Sequence, residues 1–358
     1  MHMKLSMLIL AGGHGTRLWP ISRKQSPKQV KPFLDQDTLL QKTINRLTPI
    51  VGDSVFVSTH EQYKELIKEQ SSEIADGHII AEPAKRDNAA AICLSIMTIA
   101  QKDPDCIVGI CGSDAFIKNE EEYHRLLKSI PEVFEKHNPT GVLLGVVPHY
   151  PETGYGYIEY SDDDNNDDNV YPVNQFVEKP DQKTAEEYIS QGNFLWNPLQ
   201  FFFPIQTLIG LYEKHTPEIY DGVKEILNTN DKEEQRKVYE SLPTISIDYA
   251  IMEKVQGLMV IPAHIGWADI GHWRAVQDIL TSESKTDDEM IVKGKHVGID
   301  TKRSFVYSEE DRLVATIGLE DFIIIDTPDA LLVCPKDQAQ RVKEVVQKMK
   351  EEGHEDYL

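Results

Sequence analysis

The chain has 358 residues, enough for one large domain and a smaller one, and carries a net charge of −22 from 59 acidic and 37 basic side chains. That balance excludes the broad basic face needed for nonspecific binding to nucleic acid or to an anionic membrane. No apolar run approaches bilayer length and the N-terminus lacks the three-part pattern of a signal peptide, so the expected compartment is the cytoplasm.

The first element is an apolar run, Met7 to Leu10, that ends in Ala11-Gly12-Gly13-His14-Gly15-Thr16-Arg17. A strand feeding a loop almost free of side chains lets backbone N–H groups converge on one anion, and a guanidinium adds a planar fork of donors for phosphate. An ordinary glycine turn would explain Gly12 to Gly15, but not the charge around them. No acidic residue occurs before Asp35, whereas Arg17, Arg23, Lys24, Lys28 and Lys31 all do, which points to a small phosphorylated ligand. Neither a P-loop nor a dinucleotide fingerprint fits, because no lysine follows Gly15 and Leu18 stands where the last small residue would be.

Asp37-Thr38 is placed to cap a helix over Leu39 to Leu47. Strands are expected at Ser54–Ser58, His78–Ala81 and Cys106–Cys111, with helices at His60–Gln70 and Asn88–Gln101 between them. This alternation means βαβ units and a mostly parallel sheet, whose ligands sit beyond the carboxyl ends of the strands. Asp114, in Gly112-Ser113-Asp114, therefore either caps a turn or faces the crevice as one of the few protein oxygens that hold Mg²⁺ beside phosphates.

A helix over Glu120–His137 and a strand over Val142–Val147 follow, then strands at Gly154–Tyr160 and Val170–Val177 joined by the acidic run Asp162–Asp168, read as a solvated hairpin tip rather than a calcium loop. Glu178 and Lys179 stand side by side before Pro180. As strand neighbours they would point to opposite faces, one to a sugar hydroxyl and one to a phosphate, or else form a surface charge pair. A helix is expected over Ile205–Lys214, and Gly266-Trp267-Ala268-Asp269-Ile270-Gly271 sets a second carboxylate between glycines before another helix from Trp273. The catalytic domain is taken as residues 1–284. Beyond a polar linker at Lys285–Glu289, residues 285–358 form a small β-rich domain with a terminal helix over Gln338–Glu352, suited to packing or oligomer contact. Cys93, Cys106, Cys111 and Cys334 are scattered, as core thiols of a reducing compartment are.

In their order along the chain, Leu10-Ala11-Gly12-Gly13-x-Gly15-Thr16-Arg17-Leu18-Trp19-Pro20, Pro27-Lys28-Gln29, Glu82-Pro83 with Arg86 and Asn88, Gly112-Ser113-Asp114, Phe176-Val177-Glu178-Lys179-Pro180, Ser246-Ile247-Asp248-Tyr249 and Gly266-Trp267-x-Asp269-x-Gly271 resemble the bacterial mannose-1-phosphate guanylyltransferases of the sugar-nucleotidyltransferase superfamily. The resemblance implies a Rossmann-like mixed, mostly parallel sheet with helices on both faces, followed by a left-handed β-helix-like domain. It implies GTP and mannose 1-phosphate as substrates, with GDP-mannose and pyrophosphate as products. Arg17, Lys28 and Lys179 would be catalytic cations. Leu10, Ala11, Gly12, Gly13, Gly15, Thr16, Arg17, Glu82, Asn88 and Gly112 would bind the nucleotide, and Gly154, Glu178, Lys179 and Asn197 the sugar phosphate. Asp114 and Asp269 would hold Mg²⁺, and a homodimer through the C-terminal domain is compatible. Histidines such as His14, His264 and His272 would be bystanders. Pro198-Leu199-Gln200 replaces the family's usual Ser-Gly-Met beside the sugar, and no residues remain for an added cupin domain. The competing readings are the same chemistry on another sugar or base, and a catalytically idle sensor of GDP-mannose.

Overall fold

The computed structural model describes residues 3–13, 15–34, 36–161, 168–283, 289–310 and 312–358. His14, most of the acidic run Asp162–Asp168 and most of the Lys285–Glu289 linker lie outside these. Contacts group the chain into two units, Met1–Gly12 with Thr43–Ser113 and Ile117–Trp267, and Gly13–Lys42 with Asp114–Phe116 and Ala268–Leu358. Among the described residues no helix is long and apolar enough to cross a membrane.

Among the described residues eighteen strands follow in chain order: β1 (Leu5–Leu10), β2 (Val55–His60), β3 (Ile79–Glu82), β4 (Ile107–Gly112), β5 (Ala115–Ile117), β6 (Gly141–Val146), β7 (Gly156–Tyr160), β8 (Tyr171–Glu178), β9 (Phe194–Asn197), β10 (Phe201–Pro204), β11 (Leu258–Ala263), β12 (Trp267–Asp269), β13 (Ile291–Lys293), β14 (Lys295–Ile299), β15 (Phe305–Ser308), β16 (Leu313–Ile317), β17 (Phe322–Asp326) and β18 (Leu331–Pro335). The first unit is built on a ten-stranded mixed sheet in the order β11-β8-β7-β9-β6-β10-β4-β1-β2-β3. β3, β2, β1 and β4 run parallel, and β1 and β4 are buried almost throughout, which is why they read as unbroken apolar runs. β10 lies antiparallel to β4 and β6, and β7 antiparallel to β8 and β9.

Thr38 and Gln41 close a reciprocal capping box, Gln41 N donating to Thr38 Oγ1 at 3.2 Å and Thr38 N to Gln41 Oε1 at 3.0 Å, and the helix they start runs over Leu39–Val51. Asp87–Ala100 buries its Ala and Ile side chains in the core of this first unit. Gln182–Gln191, Pro217–Asn228 and Lys232–Ser241 are further helices that the sequence reading does not anticipate.

In the second unit β13, β15 and β17 stack in parallel, with Ile291 beside Phe305 and Phe305 beside Ile323, and β14 pairs in parallel with β16. These are the rungs of a β-helix-like domain, closed by β18 and the helix Val342–Glu351. Phe33, Trp273, Phe305, Leu18 and Trp19 belong to its core, so the segment after the glycine loop packs on the C-terminal domain.

Candidate active site

In the second unit two of the three predicted cations, Arg17 and Lys28, lie with the predicted carboxylates Asp114 and Asp269 around the glycine loop, whereas Lys179 lies in the first unit. Gly15 has φ +60, and a Cβ there would stand 2.8 Å from the stem of Lys28, so a residue with no side chain is required twice over. Lys28 keeps 8 % of its side chain exposed and reaches two acceptors, Asp114 Oδ2 at 2.6 Å and Ile270 O at 2.7 Å. Asp114 is thus an ion-pair partner and not merely a turn cap. A Cβ on Gly271 would stand 2.5 Å from Asp269 Oδ2 and 3.1 Å from Arg17 Nη2, so a bare backbone lets both groups approach the same point. Thr16 and Arg17 open the single turn Thr16–Leu18, while Gly13 is exposed. Arg17 Nη1 donates to Gln340 Oε1 at 2.8 Å, a partner from the C-terminal domain that no local motif announced.

Asp114 directly precedes β5 and Asp269 ends β12, and these two strands pair with each other. Among the described residues no third His, Cys, Asp or Glu completes a metal-ligand group. Two carboxylates alone fit a hard divalent cation that takes its remaining oxygens from phosphate and water, and do not fit a closed zinc site. His272 is pushed down to about 4 by burial and by the nearby Arg17 and Arg274 charges, and its Nδ1 accepts from Ala275 N at 3.2 Å. It is a neutral helix cap at neutral pH.

The loop's next segment is tied from the far end of the chain. Trp19 Nε1 and Arg23 Nη1 both donate to the carbonyl of Tyr357, at 2.8 and 2.9 Å, and Arg23 also pairs with Asp329 at 2.7 Å. The C-terminal domain, expected only to pack or to contact another subunit, therefore holds the loop that carries the cations.

In the first unit the carboxyl ends of the parallel strands bring Leu10 opposite Gly112 and Ser58, and His60 opposite Glu82. Ala11 is fixed by its N–H to Ser58 O at 2.8 Å and by Thr59 Oγ1 on its carbonyl at 3.1 Å. Glu82 is 8 % exposed, and burial pushes it up to about 7 even though the Tyr239 hydroxyl donates to its Oε2 at 2.8 Å. Its Oε1 lies 3.5 Å from where a Cβ on Gly12 would stand. Asn88 Oδ1 accepts from Ile247 N at 2.6 Å, so this side chain braces the segment Ser246–Tyr249.

The expected sugar residues line up across three strands, with Gly156 of β7 directly opposite Glu178 of β8 and Asn197 of β9. A Cβ on Gly156 would stand 2.6 Å from Glu178 Oε2, so the missing side chain makes room for that carboxylate. Gly154 lies two residues earlier, in an exposed turn, with its N–H held by Glu152 Oε1 at 2.8 Å. One strand argument needs correction: Glu178 and Lys179 do not diverge but form an ion pair. Lys179 has φ +48, outside the strand, so the alternation that would separate them no longer applies. Burial opposes its charge, but the hydrogen bond and charge of Glu178, with Asp248, outweigh that and raise its pKa.

Asp248 received no role from the sequence. It is 6 % exposed, opens a single π-helical turn over Asp248–Met252 and accepts from Asn197 Nδ2 at 3.1 Å. Burial and the Glu178 charge push it up to about 6. Single π turns of this kind occur frequently at functional sites. Leu199, where glycine is usual, has φ +56, and its N–H donates to Asn197 Oδ1 at 2.9 Å. Gln200 is buried, its Oε1 accepting from Tyr123 Oη at 2.8 Å.

A nucleotidyl transferase family model matches residues 6–286, and a mannosephosphate isomerase/GMP-like β-helix domain model matches residues 294–349. Mannose-1-phosphate guanylyltransferase 2 of Escherichia coli O157:H7 is 35 % identical over 98 % of this chain and 74 % of its own length. Alginate biosynthesis protein AlgA of Pseudomonas aeruginosa is 33 % identical over 97 % of this chain and 72 % of its own. Among solved structures, mannose-1-phosphate geranyltransferase from Thermus thermophilus is similar with a TM-score of 0.86 and 33 % identity, covering 97 % of this chain and 100 % of that one.

Proposed function

The chain belongs to the mannose-1-phosphate guanylyltransferase family of nucleotidyl transferases, and from that premise we propose that it transfers GMP from GTP to α-D-mannose 1-phosphate, releasing pyrophosphate. A phosphate oxygen of the sugar phosphate attacks the α-phosphorus, and the bond from that phosphorus to the bridging oxygen of the leaving pyrophosphate breaks. The attacking oxygen is already ionised near neutral pH, so no general base is needed.

The work of this chain's residues is to bring two anions together and hold them in line, and positioning alone can supply about 7–11 kcal/mol. Gly12, Gly13, Gly15 and Thr16 cradle the triphosphate, Arg17 takes the β and γ groups, and Lys28 the α-phosphate. Lys179 holds the sugar's phosphate, with Glu178 and Asn197 on its hydroxyls. Asp114 and Asp269 would hold Mg²⁺, which supplies Lewis-acid neutralisation of the phosphate charge when bound.

Lys28 is the observation that carries this reading. A lysine sunk beneath a glycine loop and paired with Asp114 at 2.6 Å is a cation kept in place at a desolvation cost that surface lysines avoid. Phosphate oxygens arriving at the loop would compete with Asp114 for it. The free cysteines Cys93, Cys106 and Cys334 support a cytoplasmic enzyme, and the exposed apolar side chains Val297, Ile299, Leu313 and Ile317 support a homodimer through the C-terminal domain.

The test is pyrophosphate release with Mg²⁺ across GTP, ATP, UTP and dTTP paired with mannose, glucose and fucose 1-phosphates. Fastest release from GTP with mannose 1-phosphate is expected. Another preferred pair would keep the chemistry and change the substrate, and no release from any pair would favour the sensor.

A further inference from the structure

Glu82 is held by a residue that the substrate assignments leave unused. Tyr239 stands on the helix Lys232–Ser241, 157 residues from Glu82, and is fully buried. Its hydroxyl donates to Glu82 Oε2 at 2.8 Å, so one carboxylate oxygen is occupied from behind. The other, Oε1, approaches Gly12, where any side chain would come within 3.5 Å of it. The carboxyl group is thereby held in a fixed direction, with Oε2 turned to Tyr239 and Oε1 towards Gly12.

We propose that Tyr239 is a specificity-positioning residue for the nucleotide base, orienting Glu82 so that Oε1 receives a base edge bearing N–H donors. Guanine offers such an edge, with a ring N1–H beside its 2-amino group, whereas adenine has a bare ring nitrogen and no amino group there. The inference rests on the guanylyltransferase reading, which assigns Glu82 to the base.

The surroundings make this contact sensitive to pH. Burial favours the neutral acid and the Asp87 charge reinforces it, while Tyr239 and the nearby Ser58 hydroxyl favour the carboxylate, with a balance at about 7. Cys93 and Tyr212, which border Tyr239, are buried groups whose pKa values are themselves raised and which stay neutral at that pH. Both oxygens of Glu82 accept only when the carboxyl is ionised, so with Tyr239 on Oε2 guanine recognition at Oε1 should strengthen as pH rises through about 7.

The experiment measures kcat/KM for GTP, for ITP (which lacks only the 2-amino group) and for ATP between pH 5.5 and 9, in wild type, Tyr239→Phe, Glu82→Gln and the double variant. Tyr239→Phe should move the pH midpoint for GTP upward and reduce the GTP-over-ITP preference about tenfold at pH 7, with partial recovery at pH 9. Glu82→Gln should remove the pH step, and the double variant should match it, since Tyr239 acts only through Glu82. If Tyr239→Phe keeps the wild-type midpoint and preference while Glu82→Gln loses both, this inference fails and the base assignment stands. If Glu82→Gln keeps its preference for GTP, the base assignment itself fails. Should Tyr239→Phe fold poorly, a double variant that falls well below Glu82→Gln in kcat/KM would overturn the inference by showing a merely structural tyrosine.

Discussion

Asp248→Asn offers the most direct physical test of the sugar-phosphate cluster, because stability and function should move in opposite directions. Asp248 is buried at 6 % exposure with its carboxyl near 6 instead of the ordinary 3.8, first because of burial and then because of the neighbouring Glu178 charge. An acid whose pKa is higher folded than unfolded binds protons more tightly when folded, so the stability it confers is present below the unfolded value and is lost as pH rises through about 6. The loss amounts to about 3 kcal/mol. Asparagine keeps an oxygen to accept from Asn197 Nδ2 and removes the charge. Some of the gain is returned because Lys179 loses an anionic neighbour, so the variant should be about 2 kcal/mol more stable than wild type at pH 8, with the gap closing towards pH 4. Urea unfolding followed by tryptophan fluorescence, in half-unit steps from pH 4 to 8, measures this gap, and Glu82 titrates alike in both proteins and cancels. The KM for the sugar phosphate should rise at the same time. A stability gap that is flat with pH, or a variant weaker than wild type at pH 8, would refute the argument.

Lys179→Ala should raise the KM for mannose 1-phosphate at least about tenfold and the KM for GTP much less, read by steady-state kinetics with each substrate varied in turn. Equal changes in both would mean that the lysine serves neither phosphate selectively. Asp114→Ala and Asp269→Ala should each lower pyrophosphate release at least about 100-fold while the chain stays folded. Asp114→Ala should also cost about 1–3 kcal/mol in a thermal or urea melt, because it takes from the buried Lys28 ammonium the carboxylate it pairs with and leaves it Ile270 O. Leu199→Gly should be more stable than Leu199→Ala by about 0.5–1 kcal/mol, since only glycine relieves the backbone at φ +56, with part of the relief offset by its freedom in the unfolded chain. An alanine variant of equal or greater stability would show that no strain is stored there.

What the sequence made legible was local. The apolar run into Gly12, Gly13 and Gly15, the helix start at Thr38 and the placement of Asp114 just beyond the carboxyl end of a buried strand all follow from spacing within about 20 residues, whereas the reciprocal Thr38–Gln41 bonds and the site of Glu82 emerge from the fold. The failures follow from geometry that spacing does not carry. Lys179 leaves the strand at a positive φ, so a rule about alternating faces did not describe it. Gly156, rather than Gly154 alone, is singled out by register, which depends on how β7 meets β8 and β9. The helices Gln182–Gln191 and Lys232–Ser241 are mostly polar, and their only strong signals were the capping residues Asp181 and Asp231, which accept from Thr184 N and Glu233 N. Asp248, Tyr239 and Gln340 acquire their roles from partners 51, 157 and 323 residues away, and no local motif encodes such a meeting.

The hydrogen bonds from Trp19 and Arg23 to Tyr357 also set a schedule for biosynthesis. Their two ends are separated by 338 and 334 residues. At ordinary elongation rates the donors emerge from the ribosome roughly tens of seconds before their acceptor exists. Throughout that interval the segment has only earlier-made partners, such as Trp273 Nε1 on the Trp19 carbonyl at 2.8 Å, and contacts of such sequence separation are also the slowest to close. Completion of the tie from Trp19 and Arg23 to Tyr357 is therefore a late event in the life of each molecule, and a chain ending before residue 357 would make its sheet yet lack that mooring of the loop segment.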